Sequence, residues 1–147
     1  MNHDKFKIAY YKLRGWAEIE GPEYDYDGPC EWGMILVPGG HLPTGYEFPP
    51  RGKIAYGLFL SSEPNPADNI AAAWKLLEEL TRAVEDVEIA RNCHESVWRV
   101  SWGDTVQQRA GGGSDDSITV AICLAWYQWK TGQEWTDEIE VKANGTG

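Results

Sequence analysis

One stretch constrains this chain more than any other: Asn65-Pro66-Ala67-Asp68-Asn69-Ile70-Ala71-Ala72-Ala73-Trp74-Lys75-Leu76-Leu77-Glu78-Glu79-Leu80. It reads as a capped amphipathic helix running from Pro66 to about Glu85. Asn65 is placed to accept a hydrogen bond from a free backbone N–H, and Pro66 suits the first helical position because it has no such donor to satisfy. Asp68 adds negative charge where the helix dipole is positive. Ile70, Ala73, Trp74, Leu77, Leu80 and Val84 recur at helical spacing and are expected to form the buried face.

A second apolar stretch, Ile118-Thr119-Val120-Ala121-Ile122-Cys123-Leu124-Ala125-Trp126, predicts a final helix ending near Thr131, before Gly132. Ser114 or Asp115 would cap it, and Ile118, Ala121, Ile122, Ala125, Trp126 and Trp129 would face inward. Near the N-terminus, Phe6, Ala9, Tyr10 and Leu13 predict a short helix over residues 4–14, stopped by Gly15.

Between the helices the pattern changes period. Val87 and Ile89 alternate with Glu88 and Ala90, the segment Asn92-Cys93-His94-Glu95 supplies a turn, and Trp98, Val100 and Trp102 share one face of the following stretch. That is the signature of a strand hairpin. Residues 17–52 are punctuated by Gly and Pro and are read as irregular, apart from a short strand over 32–37. Residues 53–60 form a second candidate strand, weakened by Gly57. The glycine-rich run from Gln107 to Asp116 is read as a flexible connection, and the polar segment 136–147 as a frayed tail. The order is helix, irregular region, helix, hairpin, helix. The expected fold is α+β: one domain over 1–147, with a small antiparallel sheet packed against two or three helices.

The long helix and the final helix together resemble the phage ABA sandwich domain, a family of small bacteriophage proteins. The carriers are Asp68-Asn69-Ile70-Ala71-Ala72-Ala73-Trp74-Lys75-Leu76-Leu77-Glu78 and Thr119-Val120-Ala121-Ile122-Cys123-Leu124-Ala125, with Leu13-Arg14-Gly15-Trp16 and Val97-Trp98-Arg99-Val100 as further points of similarity. The start of the long helix, Asn65-Pro66-Ala67-Asp68, keeps the family's acidic residue and replaces its neighbours. The resemblance implies phage origin and a sandwich architecture. It carries over no catalytic residue, because the family has no established chemistry.

The chain has 147 residues, 42% of them hydrophobic, and a formal charge of −10. That charge disfavours direct binding to nucleic acid, which calls for a positive surface. It suits solubility, a basic protein partner or mimicry of DNA. No apolar run reaches the roughly 18–20 residues of a membrane span, and no signal peptide is evident, so the expected location is the cytoplasm of the bacterial host. Three scattered cysteines, Cys30, Cys93 and Cys123, do not make a disulfide framework, and Cys123 is expected in the core.

Candidate chemistry is sparse. Glu23-Tyr24-Asp25-Tyr26-Asp27-Gly28 has the alternating acids of a calcium loop, but its twelfth position is Met34 rather than a bidentate Glu, so an acidic surface loop is the better reading. Arg109-Ala110-Gly111-Gly112-Gly113-Ser114 precedes a helix and suggests a phosphate cradle. It lacks the Gly-Lys-Ser/Thr ending, and Asp115 and Asp116 oppose an anion, which favours a mobile linker. His3, His41 and His94 have no metal-ligand spacing, and no cofactor or metal is expected. The aromatics of the irregular region, beside Arg51 and Lys53, suit stacking on a base or anchoring an interface, although packing of the loop against the sheet is the better reading.

Tyr24, Tyr26, Trp32, Arg51 and Arg109 are therefore the expected ligand or partner residues. The expected function is that of a noncatalytic phage accessory protein that binds a host protein or a small nucleotide signal, acting as counter-defence by sequestration. Self-association stays open. The alternative is an acidic DNA mimic that occupies a nucleic-acid-binding host protein, which requires Glu78, Glu79, Glu85, Asp86 and Glu88 to line one face. A small hydrolase or nuclease would need convergent carboxylates or a Cys/His pair.

Overall fold

The computed structural model describes residues 1–22, 32–41 and 63–138, with side chains of 20–22 and 32–35 left aside. The elements run α1 (His3–Leu13), β1 (Trp16–Pro22), β2 (Trp32–Pro38), α2 (Ile70–Ala83), β3 (Asp86–Asn92), β4 (Val97–Asp104), β5 (Arg109–Asp115) and α3 (Ile118–Thr131). The chain is α+β, with antiparallel sheet and helices as expected. The strands form two sheets, β1-β2 and β3-β4-β5, rather than one. The predicted strand over 53–60 lies outside the described residues.

The chain divides into two compact units, Met1–Lys7 with Pro64–Ile139 and Ile8–Glu63 with Glu140–Gly147. In the second unit, β1 pairs with β2 from Trp16 opposite Pro38 to Pro22 opposite Trp32. Residues 17–22 were expected to be irregular because Gly21-Pro22 reads as punctuation; they instead complete the strand that β2 needs. Gly15 turns the chain out of α1 with φ +93°, a conformation that favours glycine. Tyr11, Trp16 and Leu36 form the local cluster, with Tyr10 against it. Burial there pushes the Tyr11 phenol up to about 12, with the neighbouring Tyr10 and Glu63 acting in the same direction.

The other unit is built around α3. Val120, Ala121, Ile122, Cys123, Ala125, Trp126 and Tyr127 are all buried, so this helix is covered on nearly every side rather than on one stripe. It packs on α2, β4 and β5. Its last turn ends in the left-handed Gly132, whose N–H donates to the Gln128 carbonyl at 2.8 Å. Ser117 is the N-cap, although its side chain makes no capping bond; Asp115 Oδ2 accepts from the Ser117 N–H instead, at 2.9 Å.

α2 begins four residues later than its sequence suggests. Asn69, not Asn65, is the N-cap, its side chain accepting from the Ala72 N–H at 3.0 Å. Asn65 Oδ1 accepts from Ala67 N–H within a tight turn, and Asp68 pairs with His3 Nδ1 ahead of the helix. The buried positions are Ala73, Leu76, Leu77 and Leu80, followed by Val84. Ile70 and Trp74, expected inside, are 53% and 50% exposed. With about 100° between successive residues, the stripe centres on Ala73, Leu80 and Val84 and leaves Trp74 well round the side. Where α2 meets α3, the buried Trp126 donates its indole N–H to Glu79 at 3.2 Å, and Lys130 approaches the same carboxylate at 3.9 Å. Leaving that N–H without an acceptor would cost about 1–3 kcal/mol.

The hairpin forms as expected, with Ile89 opposite Val100, and Val100 and Trp102 are buried. The glycine run is not a flexible connection. Arg109–Asp115 is a third strand, antiparallel to β4, with Gly113 opposite Val100 and Gly111 opposite Trp102. The reason is steric. A Cβ on Gly113 would lie 2.5 Å from Leu124 Cβ and 2.7 Å from the Ala125 backbone nitrogen, so α3 rests directly on the strand's backbone. At Gly111 a Cβ would meet only the end of the Gln128 side chain, which can swing away. The segment after Trp135 is also tied down: Asp137 accepts from Asn2 N–H at 2.7 Å and from the Trp135 indole at 2.9 Å, donors that hold its carboxyl below the ordinary range. Trp135 packs edge-on against Tyr127 and Phe6. Residues 139–147 lie outside the described residues.

Gly113→Ala is expected to push α3 off the sheet. Overpacking of this kind costs about 1–3 kcal/mol, read as a lower urea midpoint, while Gly132→Ala leaves the α3–β5 contact intact and acts only through its positive φ.

Candidate partner-binding surface

Of the five residues expected to bind, Tyr24, Tyr26 and Arg51 lie outside the described residues. Trp32 opens β2, opposite Pro22. Arg109 opens β5 and is engaged internally: its guanidinium donates to the Trp129 carbonyl in the last turn of α3 at 2.9 Å and lies 5.4 Å above the Trp102 ring. A cation at the carbonyl end of a helix is favoured by the dipole as well as by the hydrogen bond. Arg109, expected as a ligand contact, also ties α3 to the sheet.

The phosphate-cradle reading of Arg109–Ser114 fails for the same reason as the linker reading. Gly111 and Gly113 are opposite Trp102 and Val100 in the sheet, so their amides serve a ladder rather than a concave loop. At the start of α3, Asp115 already accepts from the Ser117 N–H. The calcium-loop candidate Glu23–Gly28 is outside the described residues. Cys93 and His94 occur in the β3–β4 turn, where Asn92 Oδ1 accepts from the N–H groups of His94 and Glu95. Cys93 is exposed, whereas Cys123 is buried and its thiol is pushed well above the ordinary value by desolvation. No group of three or more His, Cys, Asp or Glu side chains converges on a metal position among the described residues.

The five carboxylates proposed as a DNA-like row are divided among several surfaces. Glu78 projects from α2, Glu79 turns toward Trp126 and Lys130 of α3, and Glu85 accepts from the Thr105 hydroxyl. Asp86 and Glu88 share the outer face of β3, where Glu88 is opposite Ser101.

Two features not singled out from the sequence emerge instead. The first is the pair Ile70 and Trp74, one helical turn apart on α2 and both about half exposed, with exposed Lys75 and Glu78 beside them. Sequence carried the signal. Leu76 competes with Trp74 for the buried stripe, and the choice of Ala73-Leu76-Leu77-Leu80 over Ile70-Trp74 decides which pair faces out.

The second is a pair of hollows flanking β5. One, of about 260 Å³, opens on the outer face of the sheet and is lined by Arg99, Ser101, Gly112 and Ser114. In this face Arg99 is opposite Ser114 and Ser101 is opposite Gly112, so the missing side chain of Gly112 forms the floor. The other, of about 210 Å³, follows the edge of β5 beneath Leu124 and Gln128, with Glu134 and Trp135 alongside. There Gln128 Oε1 accepts from the Gly112 N–H at 2.6 Å.

No protein-family model, curated protein or solved structure matches this chain. Among the described residues no helix is long and apolar enough to cross a membrane.

Arg109→Ala removes one charge-assisted hydrogen bond and one exposed cation–π contact. A loss of about 1–2 kcal/mol in urea unfolding is expected, with Arg109→Lys recovering only part of it because a lone ammonium does not hold the Trp129 carbonyl and the Trp102 ring together as the longer guanidinium does.

Proposed function

We propose that this chain is a noncatalytic phage accessory protein that works in the bacterial cytoplasm by binding a host protein and sequestering it. The observation that carries this reading is the exposed Ile70–Trp74 pair on α2. A half-exposed tryptophan beside an isoleucine on a firmly capped helix is an anchor of the kind that dominates protein interfaces. Trp is enriched among residues whose truncation costs most, and an apolar centre rimmed by Lys75 and Glu78 matches interface anatomy. The helix beneath it is held by its Asn69 cap and by the Glu79–Trp126 bond, so the anchor is presented without an ordering cost. Phage origin rests on the family resemblance of α2 and α3, and counter-defence is the role that origin favours.

The nucleotide-signal reading draws on a separate feature, the outer-face hollow in which Arg99 is set opposite the Ser114 hydroxyl with Ser101 beside it. One guanidinium and two hydroxyls suit a single phosphate group.

The test is capture from bacterial lysate on immobilised protein, run beside the double substitution Ile70→Ser with Trp74→Ala. Both side chains are half solvated, so the variant is expected to unfold at a slightly lower urea concentration while losing at least about tenfold in affinity for the captured protein. Equal capture by the two proteins removes α2 as the anchor. Calorimetric titration with cyclic and linear nucleotide messengers, repeated with Arg99→Ala, decides between the protein and nucleotide readings.

A further inference from the structure

Along the edge of β5, one hollow of about 210 Å³ holds both an apolar wall and a carboxylate. The wall comes from Leu124 and Trp135. From Val120 to Tyr127 every residue of α3 is buried except Leu124, which is half-buried where it borders the hollow. Trp135 is half-buried as well, and it is fixed in place. Its indole N–H donates to Asp137 at 2.9 Å, and its ring packs edge-on with Tyr127 and Phe6. Two apolar side chains, one on a central helix and one pinned by three neighbours, are thus left partly open at the same place.

The rim is negative. Glu134 is the one charged residue in the lining, is exposed, and forms no ion pair or hydrogen bond among the described residues. Backbone carbonyls add neutral acceptors. β5 pairs only with β4 among the described residues, and the Gly112 N–H goes to Gln128 Oε1 at 2.6 Å, so Gly112 faces the free edge. On an antiparallel strand the C=O of a residue lies on the same side as its N–H, which directs the Gly112 carbonyl to this rim and, by alternation, that of Ser114. The donors in the lining, the Gln128 amide and the Ser114 hydroxyl, are neutral, so the field of Glu134 decides the sign of the ligand, and the formal charge of −10 on the chain acts the same way. A space of 210 Å³ lies below the roughly 300–1,000 Å³ of sites for drug-sized molecules, which points to a ligand of a few heavy atoms.

We propose that this hollow binds a small aliphatic amine, its alkyl stem against Leu124 and Trp135 and its ammonium on Glu134, with an edge carbonyl of β5 as a second acceptor. Because the apolar wall and the carboxylate share one hollow, a single amphipathic cation meets both. A primary ammonium has three donors and no acceptor, so it suits a carboxylate beside carbonyls and leaves no polar group against Leu124. The site goes beyond the α2 anchor and uses no part of it.

The probe is n-pentylamine, titrated at neutral pH into isotopically labelled protein and followed by amide and methyl chemical shifts. Saturable shifts are expected at Gly112, Gly113 and Ser114, at the Gln128 side-chain amide and at the Leu124 methyls. Methylamine, which has the charge without the stem, and 1-pentanol, which has the stem without the charge, should each bind at least about tenfold more weakly. Glu134→Gln changes an exposed side chain, so the urea midpoint should hold while pentylamine binding weakens about threefold to tenfold. Lysine blocked at both ends carries the same head and stem on a peptide backbone and should bind more weakly than pentylamine. The proposal is overturned if no shifts saturate along Gly112–Ser114, if methylamine binds as well as pentylamine, if Glu134→Gln binds unchanged, or if blocked lysine binds more tightly, which would assign the hollow to a protein side chain. The titration uses no host partner, so its failure leaves the α2 reading standing, and failure of lysate capture leaves this one.

Discussion

The contact on which the larger unit depends is the seating of α3 on the bare backbone of β5. At Gly113 the helix approaches closely enough that a single methyl group would meet both Leu124 and the Ala125 backbone. Helices that pack on sheets are normally held off by side chains of both elements. Here one partner has none, and the gain is dispersion contact between two backbones over a row of glycines. The cost is entropic, because a glycine strand loses more freedom on folding than any other. Three other contacts bind the same two elements and offset it: Arg109 on the Trp129 carbonyl, Gln128 on the Gly112 amide and Asp115 on the Ser117 amide. All four fall within one strand and the helix that follows it, so sheet edge and helix ends are set by the same short stretch of chain.

Because β5 brings α3 so low over the sheet, α3 becomes the centre of the unit and is buried nearly all round. α2 then packs against α3 rather than broadly on the sheet, and Glu79 faces Trp126 while Leu76 and Leu80 are buried. The rotation of α2 follows from that choice. Once Glu79 must reach the indole N–H, Ile70 and Trp74 are carried to the outer side. Their exposure is thus a consequence of packing around a central helix. The proposed anchor on α2 therefore traces to the seating of α3 on the sheet.

Much of the architecture was legible beforehand where side chains carry a period. The hairpin from Asp86 to Asp104 was readable because Val87, Ile89, Val100 and Trp102 recur at every second position. α3 was readable from its apolar density and from Gly132, and Cys123 from its place within that run. β5 was not, because a period of two needs side chains to display it and Gly111-Gly112-Gly113 has none. β1 was hidden by Gly21-Pro22. The α2 start was displaced because Asn65-Pro66 and Asn69 are competing caps, and the turn stabilised by His3, from 62 residues away, makes the later one the true start. The local context of Arg109, a cation beside glycines, gave no sign of the Trp129 carbonyl that it bonds, because that partner lies 20 residues on in α3.

The amino-acid sequence alone determined the class, α+β, the existence of three helices and a strand hairpin, and the acidic charge, since propensity, capping and periodicity act over a few residues. Tertiary structure decided which helix would be central, which face of α2 would meet solvent and whether the glycine run would be loop or strand. Those outcomes depend on contacts between residues far apart in the chain. No local pattern distinguishes a glycine that is flexible from one that leaves room for a helix.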